Sequence, residues 1–584
     1  MRRIFSFRWF FFIALFLISL FLSLQMHRET GRFNWQSELY SDCAGYYAYL
    51  PVTFLYRFDY AKFPAGLNDS SGCNLVDHEQ KKFIYKYTCG VAVMVSPFFA
   101  ATVGISELAG IPLEGGFSDA FHRMADVAGV FYLVLGLFFL GEVLKRYVSA
   151  PVRYAVLLFL YAGTNLFFYA LRQPMMSHVY SFCAIGLYLY ALHVFLERTT
   201  LRNLALVAFA AALAIVIRPV NGIILLLLLL WNVSSIRALK ERVRLLLTVR
   251  NIAVFLAISG IVLLPQLLYW TYMFGTPFHY SYEGESFSNW AVPRLAEIWF
   301  APLNGLFLYN PVWIFFIAGT VVMILQKKKN GILLLTFFLL VSYIISAWHS
   351  WFFGCGYGHR AFVDFLPLFA IPFGLVTEKV YRIRTRIPAV LMGFLLVAAS
   401  FYNLKIIYSY PGCFFGSVWD WERFSRQLRW AGFIEKQSPA YVFTNDYENG
   451  MISMQNYHSD TVSRSYNRSL RFDRTHLSGG SNSLFFYEFA LPFPTHADAG
   501  IYINAPGTGT SGAALFCMIE RKGNLLFIDS CAVDPFILRA GEWNRVRKTF
   551  TFAPDMPWDA TVSFELRNPG GALFFADDLH VVFY

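Results

Sequence analysis

Three features of this 584-residue sequence predict a polytopic α-helical membrane protein that ends in an external β-sandwich or jelly roll. The first is composition: 57% hydrophobic residues, 19% aromatic and only 15% charged, with a mean hydropathy of +0.47. Soluble domains carry about 25% charge, so a soluble globular enzyme and a disordered chain are both excluded. The second is a series of apolar runs, several of them shorter than the roughly 20 residues that a spanning helix needs, continuing to residue 404. The third is a switch beyond Gln437 to alternating apolar and polar residues between Gly, Pro and Asn turns.

The first run, Trp9–Leu24, follows the basic start MRRIFSFR. No small-residue cleavage site follows it, so it is read as an uncleaved first span with the N-terminus inside. Further runs lie at 89–108, 126–144, 152–170, 178–196, 203–217, 220–232, 251–270, 306–325, 331–347, 362–378 and 388–404. Basic loops then set sidedness. They hold Lys145, Arg146 and Arg153; Arg198 and Arg202; the segment Arg237–Arg250; Lys327–Lys329; and Lys379, Arg382, Arg384 and Arg386. If 89–108 crosses the bilayer, all of these fall outside. If it does not, all fall inside. The rule therefore predicts that 89–108, which carries Gly90, Pro97 and Gly104, is re-entrant or interfacial. About eleven spans remain, and the C-terminus lies outside. The expected organisation is a transmembrane domain over 1–405 with a first external loop over 26–125, a linker over 406–436 and an external β-sandwich over 437–584.

The strands of the last domain are read in SLFFYEFAL, AGIYINA, ALFCMIE, NLLFIDSC, NRVRKTFTF, TVSFELR and ALFFADDLHVVFY. The net charge of +11 belongs to topology rather than to nucleic-acid binding. Cys517 and Cys531 flank the predicted hairpin turn Arg521–Asn524. In an oxidising compartment they either form a disulfide or remain two buried thiols.

The span centres are nearly free of ionisable residues, which argues against a transporter. Polar and aromatic residues collect instead at the outer ends: 38–49, 81–90, 171–178, 218–221, 274–299 and 348–364. The sharpest motif is Ser41-Asp42-Cys43-Ala44-Gly45-Tyr46-Tyr47-Ala48-Tyr49-Leu50-Pro51. Two more are Tyr85-Lys86-Tyr87-Thr88-Cys89-Gly90 and the loop from Trp348 to Arg360, with Asp364 beyond it.

At these residues the chain resembles the polyprenyl-phosphate-sugar-dependent glycosyltransferases of the GT-C fold, relatives of protein O-mannosyltransferases and lipid A aminoarabinose transferases. The resemblance covers about residues 1–405. It implies that Asp42 is the catalytic acidic residue of the first external loop and that Lys86 contacts the lipid phosphate. Relatives often carry a second acid beside the first, where this chain has Cys43, and another at the start of the span near His178, where it has histidine.

The chemistry of such a donor asks for the same residue types. Its tail needs lipid, its phosphate needs cations, and its sugar needs a polar pocket with aromatic walls. Inverting transfer needs one base for the acceptor hydroxyl, and a carboxylate suits it. Asp42 is that candidate, with Glu38 as the alternative. Lys86, Arg360 and Arg218 are the candidates for donor phosphate, Arg offering a planar fork and Lys a point charge. Tyr46, Tyr47, His178, His349, Trp351 and His359 are the candidates for sugar or acceptor. The histidine spacing matches no zinc signature, so no cofactor is firm, and a divalent metal stays open without being indicated.

The expected function is therefore transfer of a sugar from a polyprenyl-phosphate donor to a hydroxyl of a glycan, lipid or protein. The place is the outer face of a cell inner membrane, with the C-terminal domain periplasmic and no nucleic acid involved. The alternatives are a transporter or flippase for a lipid-linked oligosaccharide, and a scaffold carrying a sugar-binding cap.

Overall fold

Long apolar helices dominate the first part of the computed structural model. It describes residues 2–410 apart from 283, then 418–436, 438, 441–445, 458–459, 462–465, 469–507 and 509–584. Two compact units are present, Met1–Ile407 and Tyr408–Tyr584. Part of the expected linker and the expected start of the β-domain at Gln437 lie outside the described residues.

Among the described residues, seven helices are long and apolar enough to cross a membrane, and five shorter apolar helices accompany them. The chain is a multi-pass membrane protein. Gly90–Ala109 is one of the seven. It is a single unbroken helix, so a helix-turn-helix re-entry is not what forms. Pro97 removes one backbone donor, and Ser96 Oγ donates instead to the freed Val93 carbonyl at 2.8 Å. Setting this helix aside as interfacial leaves six long and five short helices, the count at which every basic loop shares one side.

The helices pack through small residues. Asp119–Leu144 lies along Ser177–Glu197, and a Cβ on Gly136 would meet the Phe182 ring at 2.7 Å and the Cys183 Cα at 3.0 Å. Without water to expel, close backbone approach is what van der Waals packing between spans requires. The same device sets the first loop against the bundle. A Cβ on Gly90 would lie 2.4 Å from the Ile217 backbone nitrogen, so only glycine lets this helix start against the end of Leu201–Ile217. Thr88 Oγ1 donates to the Ile217 carbonyl at 3.2 Å, and Cys89 N–H to Gln266 Oε1 at 2.7 Å. These contacts carry Lys86 and Tyr87 to the end of that helix, next to Arg218.

A buried ion cluster pins the other side of the loop. His122 Nδ1 lies 3.0 Å from Glu38 Oε2, Arg123 Nη1 donates to Glu38 Oε1 at 2.9 Å, and His27 Nδ1 lies 2.7 Å from Asp126 Oδ1. Ser23 Oγ donates to that Asp126 oxygen at 2.7 Å. Burial pushes the Glu38 carboxyl up, but His27, His122 and Arg123 outweigh it and hold the group down at about 2. Removing one member leaves charges buried and unpaired. Glu38→Gln is therefore expected to cost about 3–5 kcal/mol, read as a lower thermal midpoint in detergent. The sign with pH follows from the depressed value: the stabilisation is present above the ordinary carboxylate range and is lost as pH falls towards about 2.

The second unit contains two antiparallel sheets. One orders Trp543–Thr551, His496–Asn504, Phe574–Phe583, Ser469–Phe472 and His458–Ser459, with Val442–Asn445 also on Phe574–Phe583. The other orders Ser478–Phe485, Thr561–Arg567, Ala514–Arg521 and Asn524–Ala532. Phe472, Phe550, Phe564, Phe574 and Val581 lie in the core shared by the strands. The expected hairpin turn forms with positive φ at both Lys522 (49°) and Gly523 (80°), the twist-matching turn of a two-residue loop. Cys517 faces Asp529 and Cys531 faces Leu515. The two thiols are diagonal rather than opposite, and both are free. Helix Trp421–Trp430 occupies much of the expected linker and sets Trp430 against Phe485. The paired Asp577 and Asp578 accept hydrogen bonds from the Arg464 and Ser465 backbone and from Ser465 Oγ, a strut within the domain.

Candidate functional site

Helix Asp42–Tyr47 opens the site. Asp42 and Tyr46 are four residues apart on it and so share a face. Both meet Tyr87, which the Gly90 contact has brought alongside. The Tyr87 hydroxyl donates to Asp42 Oδ1 at 2.5 Å, and the Tyr46 ring stacks on Tyr87 with centroids 4.2 Å apart. Arg360 Nη2 donates to Asp42 Oδ2 at 3.0 Å. Burial pushes the Asp42 carboxyl up, but Arg360, the Tyr87 hydroxyl and Lys86 outweigh it and hold the group below its usual value. Asp42 is therefore ionised at neutral pH, the state a general base requires. Its neighbour Cys43 is buried, and burial pushes that thiol up. No second acid stands at that place.

A second carboxylate lies behind the first. Asp364 is fully buried; its Oδ1 lies 2.8 Å from His178 Nδ1, and its Oδ2 accepts from Arg218 Nη1 at 2.9 Å. Arg218 and Arg360 lean on one ring, Phe353, at 5.9 and 5.8 Å. Ser177 Oγ donates to the Tyr46 hydroxyl at 3.0 Å, which joins the Asp364 group to the Asp42 group. His178 stands where the resemblance expects an acid, and here a carboxylate from another helix end lies behind its ring.

Lys86 completes the cations. Its Nζ lies 2.5 Å from Glu285 Oε1 and 5.4 Å from the centre of the Tyr282 ring. The loop that carries Glu285 is tied down by Ser281 Oγ donating to the Lys86 carbonyl at 2.7 Å and by His349 N–H donating to the Ser286 carbonyl at 2.9 Å.

The structure thus brings together Asp42, Tyr46, Lys86, His178, Arg218 and Arg360. Glu38 is elsewhere, in the buried ion cluster. Tyr47 follows Tyr46 but faces away on the helix, and its hydroxyl donates to the Gly116 carbonyl at 2.5 Å. His349 is exposed beside Trp348, and Trp351 is buried. His359 lies under the site: Nε2 is 2.9 Å from the Trp351 carbonyl oxygen, and the ring packs edge-on against Phe353. Burial holds the His359 ring down at about 3, so it is neutral. Tyr87, Asp364, Glu285 and Phe353 are members that sequence reasoning did not select. All four stood inside segments that the sequence reading had marked, 81–90, 274–299 and 348–364.

One group of described residues has donor spacing suited to a metal: His27, Glu38 and Asp126, with ligand atoms within 4.8 Å of one another. Arg123 Nη1 already bonds Glu38 at 2.9 Å and Asp126 at 3.3 Å. A guanidinium so placed supplies the positive charge that a metal would bring, and the group reads as a structural clamp.

No family model matches the chain, and no curated protein matches it. Among solved structures it is similar to the crystal structure of ArnT from Cupriavidus metallidurans bound to undecaprenyl phosphate. There the identity is 15%, the TM-score 0.43, and the match covers 72% of this chain and 68% of that one. It is also similar to the cryo-EM structure of arabinosyltransferase EmbB from Mycobacterium smegmatis. That match has 12% identity and a TM-score of 0.33, and covers 97% of this chain and 64% of that one.

Proposed function

We propose that this chain is a GT-C glycosyltransferase that moves a sugar from a polyprenyl-phosphate donor to a hydroxyl acceptor at the outer face of an inner membrane. The observation that carries the reading is Asp42: a carboxylate held ionised between the Tyr87 hydroxyl and the Arg360 guanidinium, with Lys86 and Arg218 close by at the ends of membrane helices. In the proposed reaction, Asp42 takes the proton from the acceptor hydroxyl as that oxygen attacks the anomeric carbon. The bond from that carbon to the donor phosphate oxygen breaks, and the lipid phosphate leaves as an anion. Arg360, Arg218 and Lys86 receive the developing charge. Phosphate is a stable leaving group, so one base suffices and the paired carboxylates of most glycosidases are not required.

Donor binding has a local consequence in this arrangement. Arg360 engages both Asp42 and the incoming phosphate, and the phosphate draws the guanidinium off Asp42 Oδ2, leaving that oxygen for the acceptor. Tyr46 and Tyr87 form the aromatic wall for the sugar. The outer-face placement is supported by Cys355 in the same loop, which is disulfide-bonded, since such bonds persist in oxidising compartments.

The test is a pair of glycan profiles by mass spectrometry, from cells carrying the gene and from a deletion strain. The expected result is loss of one sugar from one glycoconjugate with accumulation of its lipid-phosphate donor. Unchanged profiles would remove the transferase reading and bring forward the transporter and scaffold.

A further inference from the structure

Asp364 presents a question of economy. A fully buried carboxylate costs several kcal/mol in desolvation, and an ion pair in its place is rarely better for stability than apolar packing. Here the carboxylate ties three helix ends: its own turn Arg360–Phe365, the start of Ser177–Glu197, and the residue after Leu201–Ile217. Leucines would hold three helix ends at least as well. What a carboxylate adds is orientation of the two groups it bonds.

The geometry shows that orientation. Arg218 Nη1 lies 3.2 Å from His178 Nδ1 as well as 2.9 Å from Asp364 Oδ2. A guanidinium nitrogen only donates. With the Nδ1 proton pointed at Asp364 Oδ1, the close pair of nitrogens is a meeting of two donors, held together by the carboxylate between them. Two consequences follow. The carboxylate on Nδ1 favours the tautomer whose Nε2 carries the lone pair, and among the described residues Nε2 has no hydrogen-bond partner. Arg218 spends its Nη1 on Asp364 and leaves the rest of its donor edge available, beside the Phe353 ring that Arg360 also touches. Asp364 and Arg360 share one six-residue turn, so the same element sets Arg360 on Asp42 and Arg218 beside it.

We infer that Asp364 is a positioning residue for the proposed transfer: it aims the free edge of Arg218 at the donor phosphate and presents His178 Nε2 as an acceptor for a substrate hydroxyl. This rests on the glycosyl-transfer reading. It adds a carboxylate that does not touch substrate, and it gives His178 a defined chemical role, a hydrogen-bond acceptor rather than a cation.

The experiment uses the full chain in proteoliposomes with a polyprenyl-phosphate sugar that the wild type turns over, and compares Asp364→Asn, Arg218→Lys and the double variant. Asparagine keeps the shape but offers an amide donor to one partner and no charge to the other. The expected result is kcat lower by about 10²-fold, the scale of a misplaced reacting group, with donor KM raised. The double variant is expected to be no worse than Asp364→Asn alone, because Arg218 is already released. Wild-type kinetics in Asp364→Asn, or effects of the two substitutions that multiply, would overturn the inference. If Asp364→Asn does not reach the membrane, Asp364→Glu keeps the charge and displaces it by one methylene. The same kcat and KM changes at full membrane level then support the role, and unchanged kinetics overturn it. Asp42→Asn runs in the same assay. Loss of transfer there with normal transfer in Asp364→Asn removes this inference alone, whereas no transfer by the wild type from any donor removes the reading beneath it.

Discussion

Asp42→Asn is expected to lower sugar transfer by about 10²–10⁴-fold, the contribution of a positioned general base, while donor binding survives. Asparagine is nearly isosteric and still accepts a hydrogen bond from Tyr87 or Arg360, so the helix Asp42–Tyr47 and the Tyr46–Tyr87 stack should persist. What disappears is the lone pair able to take a proton. The measurement is the glycan profile of cells carrying the variant at wild-type membrane level, set beside the deletion strain. Loss of the same sugar as in the deletion, with the lipid-linked donor accumulating, places the base at Asp42. A wild-type profile from Asp42→Asn would place the base elsewhere. Glu38 is then a poor substitute, since it is buried with His122 and Arg123 and is committed to holding the loop.

Arg360→Met is the second large effect. Removing one preorganised donor to developing charge costs about 10²–10³ in kcat. Here the loss has a second component, because Arg360 is the foremost of the groups that draw the Asp42 carboxyl down against burial. The base is active when ionised, so transfer rises with pH through its pKa. In the wild type that acid limb lies below the usual carboxylate range. Without Arg360, the Tyr87 hydroxyl and Lys86 remain against burial, the pKa rises, and the limb moves to higher pH. A kcat/KM profile from the acid side to neutrality checks both parts: the plateau falls and the midpoint shifts upward. A lowered plateau with an unmoved midpoint would mean that Arg360 serves phosphate alone. Arg360→Lys is expected to restore most of the midpoint and little of the plateau, since it returns charge without the planar fork.

Much of the candidate site was legible because some of its parts are local. Asp42 and Tyr46 share a helix face by spacing alone, and Lys86 and Tyr87 shortly precede a glycine at a helix start. Arg218 and Arg360 could be listed because each stands at the end of an apolar run that the basic loops predict to face outward, in a chain whose span centres are nearly uncharged. Tyr47, by contrast, sat in the same motif and belongs to the core. Adjacent residues on a helix point about 100° apart, and a motif string does not say which one faces the site. Glu38 was separated from Asp42 by the same limit: four positions apart outside a helix need not share a face, and its partners His122, Arg123 and His27 lie far away in sequence.

The sequence by itself determined the class of molecule. Hydropathy, basic loops and a change of period settle membrane spans and a β-domain, because burial in lipid and pairing in sheets impose their patterns residue by residue. The hairpin turn at Lys522–Gly523 belongs to the same category. Only the tertiary structure decided who pairs with whom. Asp42 meets Arg360 across 318 residues, Asp364 meets His178 across 186, and Lys86 meets Glu285 across 199. Such pairs depend on which helix ends are neighbours, and that is set by small-residue contacts such as Gly90 against Ile217 and Gly136 against Phe182. A glycine in an apolar run has the same composition whether or not another backbone lies against it, so the contact that assembles the site leaves no mark in the local pattern.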